Sequence, residues 1–136
     1  WSEFGGVLLY GGELDPRERE LLILRTGWNC QSDYEWGQHK AIGLAVGMTE
    51  KDIDATTLEP SAAGWNDDDL LLITAADELH ADCKLSDAMY AALEKRYNKK
   101  QIIELLMVVG QYHLVSMLLN SLEVQRDKGV EGFPAS

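Results

Sequence analysis

The chain has 136 residues, of which 46% are hydrophobic and 26% charged, a balance typical of soluble globular domains and unlike disordered, collagenous or disulfide-scaffold sequences. That length suits one domain, 1–136, built around a single core. Against 12 Lys+Arg stand 23 Asp+Glu, a formal net charge of -11; such a field repels phosphate backbones and anionic membrane surfaces, so nucleic acid and membrane are poor partners, and an acidic substrate requires a local cationic patch.

In chain order, Asp15-Pro16 is a helix start signal, and Leu21, Leu24 and Trp28 follow at helical spacing, which predicts a first helix over 16–30. Ser32-x-x-Glu35 has the form of a capping box; Trp36, Ile42 and Val46 then recur at helical spacing until Gly47, a second helix over 33–46. Thr49, with Asp52 three residues on, caps a short third helix that ends before Glu59-Pro60, and Ser61-Ala62-Ala63-Gly64 is a loop. Asn66 or Asp67 caps a fourth helix with three acids in its first turn, where the macrodipole favours negative charge. Ser86 caps a shorter helix to about Arg96. The last helix, 99–124, carries Ile102, Leu105, Leu106, Val109, Tyr112 or His113, Ser116 and Leu119 as its buried stripe. No segment sustains period-2 alternation, so the fold class is all-α. Because the last helix is almost uncharged from Leu105 to Leu122, it needs cover on several sides, and a homo-oligomer follows as the expectation.

Two cysteines, Cys30 and Cys83, without CxxC spacing make no disulfide framework and suit a reducing, cytoplasmic setting. No apolar run approaches the ~20 residues of a membrane span, and no basic region precedes an apolar one. The chain opens on Trp1 rather than Met, as it would if a segment preceded it. The glycine-rich GGVLLYGG segment at 5–12 lacks the spacing of a phosphate loop.

Glu35 and His39 stand four residues apart, on one face of the second helix and within reach of each other. A carboxylate beside an imidazole raises its proton affinity, and partial burial tunes such a pair for acid–base transfer. The alternative is structural, with Glu35 bonding the Ser32 backbone as a cap and His39 a satisfied helix histidine. Glu20, set among Leu21, Leu22, Ile23 and Leu24 with no basic residue at i+4, is either a pocket carboxylate or a surface partner of Arg17 or Arg19. Asp77, His80 and Asp82 offer metal-ligand types at a spacing that matches no established motif, so no metal is expected, and Asp77 and His80 read better as an exposed i,i+3 pair. Tyr112 and His113 on the apolar last helix need polar partners if buried.

Pro16-Arg-Glu-Arg-Glu-Leu-Leu-Ile-Leu-Arg25, then Tyr34-Glu-Trp-Gly-Gln-His39 and Gly47-Met-Thr-Glu50, resembles the carboxymuconolactone decarboxylase family and its alkylhydroperoxidase D-like relatives. Asp77-Glu-Leu-His80, Gln101 to Leu105, Gly110 to His113 and Leu119-Asn120 look like the longer, decarboxylase-like members, so the likeness runs from about 14 to 126. In the peroxidase-type relatives a glutamate is followed by a CxxC pair and then a histidine; that spacing lands on Glu20, Ser32, Glu35 and His39. Both redox cysteines are replaced, so the resemblance implies that disulfide-based peroxide reduction is lost while the glutamate and histidine remain.

The implied protein is an alkylhydroperoxidase D-like helical bundle, a trimer or hexamer, whose first two helices pair antiparallel with the last packed across them. The implied activity is a cofactor-independent decarboxylase, or related lactone isomerase, on a small carboxylated lactone or keto-acid-like substrate. Glu20, Glu35 and His39 would be catalytic. Ser32 at a helix N-terminus, Arg25 or Lys40 as the cationic patch, and Tyr112 or His113 from the last helix would bind substrate. The rivals are an isomerase or dehydratase of secondary metabolism, a non-catalytic helical oligomer that binds a small ligand and, weakest, a residual redox enzyme.

Overall fold

A computed structural model describes residues 3, 5, 6 and 11–135. From residue 11 onward it contains six α-helices and one short 3-10 turn: α1 (Pro16–Asn29), α2 (Asp33–Ala45), α3 (Glu50–Ala55), the turn Pro60–Ala62, α4 (Asp67–Asp82), α5 (Asp87–Glu94) and α6 (Lys99–Ser121). The described residues form no strand, in accord with the all-α expectation. The glycine-rich segment at 5–12 falls partly outside the described residues.

The helix starts follow local chemistry. Pro16 opens α1, and side chains of Ser32, Thr49, Asn66, Ser86 and Asn98 accept the N3 backbone N–H of the helices they precede. Thr49 with Asp52 and Asn98 with Gln101 complete reciprocal capping boxes. The expected 61–64 loop instead begins as a 3-10 turn, because Pro60 presets φ for it and Ala62 N–H returns to Glu59 O at 2.9 Å.

α1 is the axle of the bundle. Arg19 to Gly27 are all buried, and α2, α4 and α6 pack around them. This explains why Leu21, Leu22, Ile23 and Leu24 run consecutively rather than at helical spacing: every side of the helix faces protein. Gln31, in the left-handed region at φ 52°, turns the chain sharply between α1 and α2. Gly27 then lies against Trp36, and Leu24 against Gly43, so the two helices run antiparallel as expected. Both glycines allow close approach; a Cβ on Gly43 would meet the Met48 sulfur at 3.1 Å.

Two bidentate ion pairs fix α1 against α4: Arg17 to Asp69 at 2.9 Å, and Arg25 to Asp77 at 2.7 and 2.9 Å. Each joins residues 52 apart, so the helices run parallel with matched eight-residue steps.

α6 buries Ile102, Leu105, Val108, Val109, Tyr112 and Ser116, while Ile103, Leu106, Met107, Leu114, Met117 and Leu118 are exposed. Leu106 therefore leaves the expected buried stripe, whose place Val108 takes. By length and composition α6 would also suffice to cross a bilayer, a correction to the expectation that no run approaches that size.

The tail after α6 folds back onto α2. Phe133 stands edge-on to Trp28 and Trp36, with centroids 5.0 and 5.6 Å away. Asp33 accepts the Phe133 N–H at 2.7 Å and pairs with Arg126 at 2.7 Å.

Candidate active site

Helical geometry places residues 35, 39 and 42 on one side of α2 and 33, 37 and 40 on the other. The tail takes the second side: Lys40 pairs with Glu131 at 2.6 Å, and a Cβ on Gly37 would meet Glu131 O at 2.5 Å. The first side faces α1, and there Glu20, His39 and Glu35 meet in a line.

His39 Nδ1 lies 2.5 Å from Glu20 Oε1, and its Nε2 lies 2.8 Å from Glu35 Oε1. All three groups are buried, at 0%, 5% and 6% exposure for Glu20, His39 and Glu35. A neutral imidazole offers one N–H and one lone pair, and the lone pair would oppose one of these carboxylates. With both ring nitrogens protonated, each donates to a carboxylate. Burial alone pulls the His39 pKa below its usual value, but the hydrogen bonds and charges of Glu20 and Glu35 outweigh that effect and push it up to about 9. At neutral pH the group is therefore an imidazolium clamped between two carboxylates.

Two carboxylates against one cation would leave an uncompensated buried charge, at a cost of several kcal/mol. Arg19 supplies the second cation: its Nε donates to Glu20 Oε2 at 3.2 Å. Arg19 is itself buried, so its pairing with Glu20 is part of the core rather than solvated surface charge. Tyr112 completes the group from α6, its ring edge-on to His39 with centroids 5.1 Å apart at 84°. Sequence reasoning gave Arg19 no role in the site, because adjacency to Glu20 does not reveal which of the two side chains faces inward.

Ser32 does cap α2, since its Oγ accepts the Glu35 N–H at 3.4 Å. Only half of the box forms: the Ser32 N–H goes to Gly27 O at 2.8 Å, and the Glu35 carboxylate turns to His39. The cap and proton-partner readings of Glu35 are thus resolved by geometry in favour of the histidine. Ser32 is fully buried, with its hydroxyl engaged at the start of α2.

Three other expected substrate-binding residues are placed elsewhere. Arg25 is buried in structural bonds, to both Asp77 oxygens and to the carbonyls of Thr56 and Leu58 at 2.9 and 2.8 Å. Lys40 lies on the tail side of α2, at a cleft of about 290 Å³ that Gly37, Leu44, Glu50 and Val130 help to line. His113 lies one residue from Tyr112 but points away from His39; its Nδ1 is 2.8 Å from Val109 O and its Nε2 is 2.9 Å from His80 Nδ1. The expected Asp77–His80 pair is likewise replaced, because Arg25 and Asn29 hold Asp77 while His80 turns to His113. Neither expected cation, Arg25 or Lys40, therefore stands in the line with His39, where the positive groups are the His39 imidazolium and Arg19.

Chemically, such a line of hydrogen-bonded carboxylate, imidazole and carboxylate can hold and pass a proton, and its two ends differ in depth. Glu20 is sealed inside and held by Arg19, whereas Glu35 lies near the start of α2 with its side chain 8% exposed. Both cysteines, Cys30 and Cys83, are free thiols, and positions 32 and 35 hold a serine and a glutamate.

The comparisons with known proteins agree with this architecture. A protein of unknown function from Agrobacterium tumefaciens, proposed as the antioxidant defence protein AhpD, superposes with a TM-score of 0.84 at 14% identity over 93% of this chain and 87% of its own. An uncharacterized peroxidase-related protein from Silicibacter sp. TM1040 gives 0.86 at 12% identity over 97% and 71%. The alkylhydroperoxidase AhpD core of a peroxidase-related protein from Ralstonia eutropha JMP134 gives 0.83 at 17% over 93% and 68%. At such identities the likeness is one of fold. Among curated proteins nothing matches the sequence. The model of the carboxymuconolactone decarboxylase family matches residues 1–78, more than half of the chain and the part that contains the whole Glu20–His39–Glu35 line, so the chain belongs to the carboxymuconolactone decarboxylase family.

Proposed function

We propose that this protein is a cofactor-independent carboxy-lyase that acts on a small carboxylated lactone or keto-acid-like compound. The observation that carries the reading is the buried carboxylate–imidazolium–carboxylate line. Loss of CO2 breaks the bond from carbon to carboxylate and leaves the electron pair on the substrate as an enolate or dienolate. The reaction therefore needs a nearby cation to stabilise that charge and a proton to deliver to carbon. His39 supplies both. Its proton passes outward, directly or through Glu35, while Glu20 and Arg19 hold the ring and its tautomer; a solvent proton then restores the resting state.

An isomerase or dehydratase would use the same relay without releasing CO2. The dithiol chemistry of the peroxidase-type relatives has no counterpart at positions 32 and 35. Assembly as a trimer or hexamer belongs to the same reading, supported by the exposed apolar row on α6, and two free thiols suit the cytoplasm.

The test is a screen of carboxylated lactones and β-keto acids with coupled detection of CO2. Turnover is expected in the wild type, with a loss of at least about 100-fold in kcat for His39→Gln. Product formation without CO2 would favour the isomerase or dehydratase, and turnover unaffected by His39→Gln would overturn the role assigned to the relay.

A further inference from the structure

A second cluster of titratable side chains lies outside this relay and belongs to none of its steps. Cys30 at the end of α1, His80 in the last turn of α4 and His113 in the middle of α6 bring one sulfur and two ring nitrogens within 4.8 Å of one another. We propose that these three residues bind a borderline transition-metal ion of the zinc type, with its fourth position open.

The geometry points to an ion rather than to a histidine pair alone. A tetrahedral zinc ion with bonds of about 2.0 Å to nitrogen and about 2.3 Å to sulfur sets its ligand atoms roughly 3.3 to 3.6 Å apart. The His80 and His113 nitrogens are 2.9 Å apart, and the Cys30 sulfur is 4.0 Å from His80 Nδ1. Side-chain rotations that spread the two nitrogens and draw the sulfur inward, from separations that are all within 4.8 Å, would bring all three onto one centre.

The surroundings resemble the outer shell of a metal site. His113 Nδ1 donates to Val109 O at 2.8 Å, which fixes the tautomer and leaves the Nε2 lone pair facing the cluster. Ser116, fully buried and otherwise unpartnered among the described residues, sets its hydroxyl toward the Cys30 sulfur. A metal-bound thiolate is a far better acceptor for that hydroxyl than a thiol is. Asn120, one turn further along α6, donates to Cys30 O at 2.8 Å and anchors the cysteine backbone. His113, Ser116 and Asn120 stand at i, i+3 and i+7, so one face of α6 serves the cluster while Tyr112, a residue away, serves His39.

The donor set of one thiolate and two imidazoles selects zinc, cobalt or copper over calcium and magnesium, which prefer oxygen. Cys30 and His113 are half-buried and His80 is exposed, so an ion can enter from solvent, and the net charge of -11 draws cations to the surface. On binding, the Cys30 S–H bond breaks and its proton leaves to solvent, while the sulfur lone pair forms the metal bond. His80 shifts its proton from Nδ1 to its other nitrogen, so one proton is released per ion.

The experiment is a titration of the reduced protein with Co2+, read by the thiolate-to-cobalt absorption in the near ultraviolet, followed by displacement with Zn2+. One equivalent should produce the band, and Zn2+ should abolish it and shift the NMR signals of His80 and His113. Cys30→Ser should remove the band, and His113→Asn should weaken Zn2+ binding by at least about 100-fold while circular dichroism shows the fold retained. Cys83→Ser should leave both unchanged. Absence of the band in the wild type, or its persistence in Cys30→Ser, would overturn the site. Neither readout depends on turnover at His39.

Discussion

Glu35→Gln isolates one side of the histidine clamp. The substitution keeps an acceptor oxygen beside His39 Nε2 and removes only the charge, while Glu20 remains 2.5 Å from Nδ1. In the wild type the two carboxylates raise the His39 pKa from 6.5 to about 9. At about 1.4 kcal/mol per tenfold change in proton affinity, that is a net gain on the order of 3 kcal/mol, which is what Glu20 and Glu35 together contribute beyond the opposing cost of burial. Glu20 is the better buried of the two and makes the shorter contact, so it carries the larger share. Glu35→Gln should therefore lower the His39 pKa by on the order of one pH unit and leave it above its ordinary value. The assay is an NMR titration of the imidazole C–H signals from about pH 5 to about pH 10, and the chain has only three histidines to assign. Titration of wild-type His39 near 6.5, or an unchanged value in Glu35→Gln, would refute the clamp and return Glu35 to a capping role.

Two further outcomes follow from the same geometry. Because the folded-state pKa of His39 is raised, the stability it contributes is fully present below about pH 6.5 and lost as pH rises through about 9; chemical denaturation at a series of pH values should show that decline, and His39→Gln should flatten it. Arg25→Met should destabilise the fold by about 2 to 4 kcal/mol, since it leaves Asp77 with Asn29 but without its cation and strands two carbonyls, with the partial exposure of Asp77 holding the cost below that of a fully buried pair. The His39 titration should be unchanged in that variant; a shift there with no loss of stability would mean that Arg25 acts on the site rather than on the helix register.

Much of this molecule can be read along the chain because its signals are local. Helix starts depend on a side chain reaching an N–H three residues on, and Thr49, Asn66 and Ser86 mark theirs in the sequence. The i,i+4 relation of Glu35 and His39 is equally local, since a helix fixes it wherever the helix lies. Burial on α6 was less legible. An apolar helix without a polar face carries no indication of which side will pack, and Leu106 and Val108 exchanged the places expected of them.

What the sequence by itself determined was therefore the all-helical class, the order of the elements and the family, together with the residue types available for proton transfer. Only the tertiary structure decided the partners. It turned Glu35 from Ser32 to His39, because a second carboxylate from α1 stood ready to share the imidazolium. It withdrew Arg25 into the bond to Asp77, 52 residues away, and it gathered Cys30, His80 and His113 from three helices. Such choices depend on which charges are brought together out of water, where an unpaired group is costly, and no spacing along one helix contains that information.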